Sequence, residues 1–265
     1  MSMTLPRFSP YHPLQVGSVT IDDLTLPEAL EAIDRLIADG RGGTVLTPNV
    51  DHVVLAEDDA RLRGAYHDAS LCLLDGMPLL WASRLLGAPL REKVSGSDLI
   101  LPLMKMAAAR DYGVYFLGGA EGVGERAAER LSAIVPGLRI VGIDAPPIDL
   151  DRPLDADDPV LARARAAKPD LVLVALGCPK QELFMHAVAP ALRPAVLLGI
   201  GASLDFWAGT AHRAPAWVSE HGLEWLYRLA HEPRRLWRRY LVRDPRFLLI
   251  LLHELHARKE HPHAA

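Results

Sequence analysis

Only two cysteines, Cys72 and Cys178, occur in 265 residues, and they lie far apart. That excludes a disulfide framework and leads us to expect a reducing compartment. No run of about 18 to 20 apolar residues is present, so no membrane-spanning helix is expected. The nearest approach, FLLILL at 247–252, is too short. The opening MSMTLPRFSPYHPLQVGS has no long apolar stretch, so it does not read as a signal peptide. There is no P-loop, no internal repeat and no low-complexity tract. Four histidines crowd HELHARKEHPH near the end of the sequence, without the H-E-x-x-H spacing of a zinc protease. GGAEGVG at 118–124 only loosely resembles a dinucleotide fingerprint. The first buried strand ends in TPNVD, which argues against a dinucleotide-dependent oxidoreductase.

What is present is apolar material: 50% of the residues, enough for one large core and too much for disorder. It falls into short continuous runs separated by helical periodicity. TLPEALEAIDRLIADG opens with a capping box, Thr25 to Glu28, and stops at Gly40. GTVLTPN reads as a buried strand, and LCLLDG, GVYFLGG, LRIVGI, DLVLVALG and AVLLGIG read as further strands. VDHVVLAEDDARLRGAY and residues 77–87, 97–110 and 123–134 read as helices. Continuous apolar strands alternating with helices predict a Rossmann-like α/β fold, a mostly parallel sheet covered on both faces. We expect this core to span residues 1–215, followed by a basic helical appendage at 216–265.

Ligands of parallel sheets bind at the carboxyl ends of the strands. Here those ends carry Thr47 and Asn49, Asp75, Gly118 and Gly119, Gly177 through Gln181, and Gly199 with Gly201. Asp75 follows LCLL; an apolar setting raises a carboxylate's pKa and suits a general base, although an aspartate at a turn also caps helices. In GCPKQE, Pro179 presets a strand-to-helix turn whose amides suit a diphosphate, with Lys180 and Gln181 as further donors. An ordinary turn explains the same residues. Cys178 could act as a nucleophile at a helix start, but the sequence places no histidine beside it. The pairs Asp149/Asp151 and Asp155/Asp157 resemble metal-binding D-x-D motifs, yet lie in a proline-rich acidic loop. Neither a metal nor a cofactor is expected.

The charge distribution is uneven. The net charge is -4, yet 224–247 gathers seven arginines among Trp, Tyr, Leu and Phe. Binding of nucleic acid is one reading of such a stretch. The acidic remainder argues against it.

Six segments in this order resemble the WecG/TagA/CpsF family of bacterial glycosyltransferases. They are TPNVDHV, LLDGMPLLWASRLLGAPLREKVSGSDL, VYFLGGAEGV, VALGCPKQE, GIGASLDFWAGTAHRAPAWV and GLEWLYRLAHEPRRLWRRYL. The resemblance implies inverting, metal-independent transfer of N-acetylmannosamine or a related hexose from a UDP-sugar to a polyprenyl-diphosphate-linked sugar. Glucosyl transfer in exopolysaccharide assembly is the alternative, and a non-catalytic membrane scaffold a remoter one. Asp75 corresponds to the family's proposed general base. Thr47 and Asn49 correspond to positions lining the sugars, and Gln181 to the glutamine near the nucleotide sugar. Arg228, Arg235 and Arg238 correspond to arginines that contact diphosphate. Lys93 departs from a common family arginine; it keeps the charge and loses the two-pronged geometry. The implied partners are the UDP-sugar, the lipid-linked acceptor and the inner face of the cytoplasmic membrane, where the protein would sit peripherally. The family also admits homo-oligomers. The arginines would then attract anionic lipid while Trp225, Trp237, Tyr227, Tyr240 and Phe247 rest at the headgroups.

Overall fold

The computed structural model describes residues 13–149, 158–212 and 214–260. Asp151, Asp155 and Asp157, and with them both D-x-D pairs, lie outside the described residues.

The chain begins with β1 (Leu14–Val16) and β2 (Val19–Ile21), an antiparallel hairpin. The sequence reading assigned no strand here. There follow α1 (Leu26–Ala38), β3 (Gly43–Leu46), α2 (Val50–Asp58), α3 (Ala60–His67), β4 (Leu71–Cys72), α4 (Met77–Leu85) and α5 (Gly96–Arg110). Next come β5 (Gly113–Gly118), α6 (Val123–Ile134), β6 (Arg139–Asp144), α7 (Pro159–Ala167), β7 (Leu171–Ala175), α8 (Lys180–Leu192), β8 (Val196–Gly199) and α9 (Ser203–Ala208). The basic segment forms α10 (Ala216–Glu220), α11 (Glu224–His231), α12 (Pro233–Trp237), a π-helical stretch at Arg238–Arg243, and α13 (Phe247–Glu260).

Six strands make one sheet in the order β4-β3-β8-β7-β5-β6, all neighbours parallel. β5, β7 and β8 are buried at every residue, as a sheet covered on both faces requires. One apolar core lies between the sheet and α1, α5, α6 and α9. The other lies beneath α2, α3, α7 and α8 and takes in the β1–β2 hairpin. Phe247 and Leu251 of α13 join this second core, with α13 against α2 and β1. Phe247, only 5% exposed, therefore belongs to the interior and not to a membrane-facing set of aromatics.

Local chemistry fixes the helix ends. Capping boxes open α1 at Thr25/Glu28 and α5 at Ser95/Asp98. VDHVVLAEDDARLRGAY, read as a single helical stretch, breaks in two at Asp59. There the backbone is extended, and the side chain accepts from the amides of Arg61 and Leu62. An aspartate that caps the second helix in this way competes with continuation of the first.

Gly118 closes β5 with φ +100°, and a Cβ placed there would stand 2.5 Å from the Ala175 carbonyl oxygen on β7. Gly118→Ala is therefore expected to cost about 2–4 kcal/mol, because the obstacle is backbone and cannot rotate away. A urea midpoint unchanged from wild type would refute this.

Candidate active site

The parallel sheet brings the polar strand ends to one edge, and a cavity of about 410 Å³ opens there beside β3 and β4. Asp75 and Gly76 form its floor. Asn49 and Lys93 stand at its sides, and Glu224, Trp225, Arg228, Tyr240 and Leu248 come over it from the C-terminal segment. Asp75 lies just beyond β4, with its amide donating to the Pro48 carbonyl at 3.0 Å. Its carboxylate makes no hydrogen bond among the described residues. Burial pushes Asp75 up to about 6; Glu224 and Asp98 push the same way, and Lys93 and Arg228 oppose them. A half-buried carboxyl of this kind is free to take a proton near neutral pH.

Lys93 is held by the α5 cap: its ammonium pairs with Asp98, the same carboxylate that accepts from the Ser95 hydroxyl at 2.6 Å. Asn49 caps α2, accepting at Oδ1 from the amides of Asp51 and His52. Arg239 donates to that same oxygen at 3.1 Å. Arg239 and Arg243, four residues apart, both reach Asp51, which is only 3% exposed. This clamp fastens the C-terminal segment over the cavity. Asp244, beside it, is driven up by burial and by Asp51.

The other candidates fall in different places. Thr47 is buried, donating to the Gly199 carbonyl at 3.3 Å. Gln181 is 3% exposed; its Oε1 accepts from the Gly201 amide at 2.9 Å and its Nε2 donates to Glu182 at 3.0 Å. Both tie β8 and its exit turn in position. A Cβ at Gly199 would lie 2.4 Å from that amide nitrogen, which accounts for the glycine. Gly119 donates to the Ala175 carbonyl at 2.8 Å, Gly177 takes φ +73° in the turn, and Pro179 and Lys180 begin α8. A second cavity, of about 520 Å³, lies between α9 with the loop that follows it and α11. Arg235 lines it, and Arg228 lines both cavities. Arg238 lines neither and stacks on Trp237, 5.4 Å from the ring centroid. The sequence reading missed Arg239, Arg243 and their partner Asp51, and also Glu224. The available signals were the i,i+4 spacing of the two arginines and a GLEW segment beside Arg228.

The fold and cavity define a class: an α/β enzyme with a partly buried carboxyl at the carboxyl edge of a parallel sheet, beside cationic side chains suited to an anionic substrate. The chain belongs to the glycosyl transferase WecG/TagA/CpsF family, whose model matches residues 14–261, and it is a glycosyltransferase. It is 33% identical over 221 residues to an N-acetylglucosaminyldiphosphoundecaprenol N-acetyl-beta-D-mannosaminyltransferase of Bacillus spizizenii, covering 83% of each chain. A Bacillus subtilis protein of the same name is 32% identical over 213 residues, 80% of each chain. A Staphylococcus aureus protein of that name is 28% identical over 238 residues, 89% of this chain and 91% of its own.

Proposed function

We propose that this enzyme transfers N-acetylmannosamine from a UDP-sugar to N-acetylglucosaminyl-diphosphoundecaprenol, with inversion and without a metal ion in the chemical step. The observation that carries the proposal is Asp75, a carboxyl at about 6 on the floor of a cavity walled by Lys93 and Arg228. An acceptor hydroxyl gives its proton to Asp75 as its oxygen attacks the anomeric carbon. The bond from that carbon to the diphosphate oxygen breaks, and UDP departs with the electron pair. Attack from the side opposite the leaving group inverts the centre. Arg228, between the two cavities, stabilises the diphosphate as its charge grows, with Arg235 alongside. Asn49 and Lys93 contact the sugars. Gln181 and Thr47 act indirectly, by holding the turn at Gly199 to Gly201.

No helix among the described residues is long and apolar enough to cross a membrane. The lipid-linked acceptor is instead met at the cytoplasmic membrane surface. Leu248, Leu249 and Leu252 of α13 are 61%, 69% and 62% exposed, beside exposed Leu241, Val242 and Trp237 and the arginine-rich segment. Anionic headgroups suit such a surface at about 1 kcal/mol per basic residue. Replacing Leu249 and Leu252, which line neither cavity, with serine is expected to reduce sedimentation with anionic liposomes about tenfold while turnover on a short-chain soluble acceptor persists. Equal sedimentation would remove this face from the account.

The deciding experiment gives the purified protein a lipid-diphosphate N-acetylglucosamine acceptor and a panel of UDP-sugars, with EDTA present, and follows UDP release. Release with UDP-N-acetylmannosamine supports the proposal. Release with another sugar alone renames the donor, and absence of UDP binding overturns the reading.

A further inference from the structure

Behind the cavity wall, three side chains from separate segments come together: His52 in the first turn of α2, Cys178 in the turn after β7, and Glu182 in the first turn of α8. Their ligand atoms lie within 4.8 Å of one another. None of them lines either cavity. Glu182 is 1% exposed; one carboxylate oxygen accepts from Gln181 at 3.0 Å, and the other, Oε2, has no well-formed hydrogen bond, the Cys178 thiol being the weak donor beside the carboxylate. A buried carboxylate oxygen served by no more than a weak thiol donor is costly and calls for a cation or a stronger donor. The nearest guanidinium, Arg239, is committed to Asp51 and Asn49. His52 is 7% exposed, and its Nδ1 lies 2.7 Å from the Tyr66 hydroxyl. With Nδ1–H donated to Tyr66, Nε2 carries a free lone pair, the usual outer-partner arrangement of a metal-bound imidazole.

We propose that His52, Cys178 and Glu182 bind one borderline transition-metal ion, zinc being the type, through imidazole nitrogen, thiolate sulfur and carboxylate oxygen. This donor set is that of zinc and its neighbours, not of magnesium or calcium. Ligand bonds of about 2.0–2.3 Å set tetrahedral donors roughly 3.3–3.7 Å apart, so no pair need close by more than about 1.5 Å on binding. The Cys178 thiol releases its proton to solvent as the sulfur–metal bond forms. The ion ties the first turn of α2, which carries Asn49 and Asp51, to the GCPKQE turn. It stands off the cavity and takes no part in glycosyl transfer.

The test loads the full chain with Co²⁺, removes excess metal and records the thiolate-to-cobalt absorption. Melting is then compared in Zn²⁺ and in Mg²⁺. The expected result is one thiolate-bound ion per chain, seen as a thiolate band, and a melting temperature raised by Zn²⁺ alone. Cys178→Ser should abolish the band and Cys72→Ser should keep it. The histidines near the C-terminus can also hold cobalt, but without sulfur they give no such band. Cobalt bound with no thiolate band, or a band that survives Cys178→Ser, overturns the proposal. Should Cys178→Ser fail to fold, Glu182→Gln keeps the side-chain volume. It is expected to weaken cobalt binding roughly tenfold or more, and unchanged affinity is equally an overturning result.

Discussion

Asp75→Asn is expected to lower turnover by about 10²–10⁴-fold while the protein stays folded and still binds UDP. Asparagine matches the carboxyl in shape but cannot take a proton, so the loss falls on kcat and leaves the substrate KM values nearly unchanged. Wild-type kcat/KM should rise about tenfold per pH unit below about pH 6 and flatten above it, because burial places Asp75 at about 6. The stability effect has the opposite sign to the activity effect. A carboxyl raised from 3.8 to about 6 is disfavoured as the anion in the folded state. Its destabilisation therefore begins above the unfolded value, grows until about pH 6 and stays constant beyond. At pH 8 it is about 3 kcal/mol at most, and asparagine removes it. Asp75→Asn should therefore melt no lower than wild type at pH 8, and several degrees higher if the whole penalty is relieved. A variant that loses activity only by unfolding would take Asp75 out of the chemistry. A variant that turns over normally would do so more directly.

The elements that set this site were legible because their signals are local. All six strands of the parallel sheet read as continuous apolar runs. The capping box at Thr25 and the bounds of α6 at 123–134 match the structure. Asp75 stood out as a carboxylate immediately after such a run, and a parallel sheet carries every strand end to the same edge. The β1–β2 hairpin escaped because its strands have three residues each, too few for alternation to register. The membership of the arginine clamp escaped for a different reason. Seven arginines share one helical region, and which of them face inward depends on helix phase. The π-helical stretch at Arg238–Arg243 alters that phase, so Arg239 and Arg243 reach Asp51 while Arg238 lies on Trp237. Asn49 and Arg239 are 190 residues apart, and no local pattern encodes their contact. The same holds for His52 beside Cys178: the sequence showed no histidine near that thiol, and the fold supplies one by bringing the first turn of α2 to the turn after β7.

Asp51→Asn tests the clamp, and its cost should depend on Asp244. Removing one partner of a buried ion pair usually costs about 3–5 kcal/mol, since the other charge is stranded. Here the stranded charges are Arg239 and Arg243, and a second acid stands ready. Asp244 lies 3.9 Å from Arg239 and is driven up by burial and by Asp51. Once position 51 is neutral, one cause of that rise is gone, and Asp244 ionises more readily and takes over Arg239. The single variant should then lose only about 2 kcal/mol at pH 8, and more once the pH falls low enough to protonate Asp244. Asp244→Asn alone should cost little, because Asp51 still holds both arginines. The double variant should lose more than the two singles together, by about 1–3 kcal/mol, the coupling expected of groups that share one partner. Its activity should fail mainly through a raised acceptor KM, because Tyr240 and Leu248 are no longer held over the cavity while Asp75 remains in place. Strict additivity in urea melts, or a loss that does not grow on acidification, would show that Asp244 does not replace Asp51.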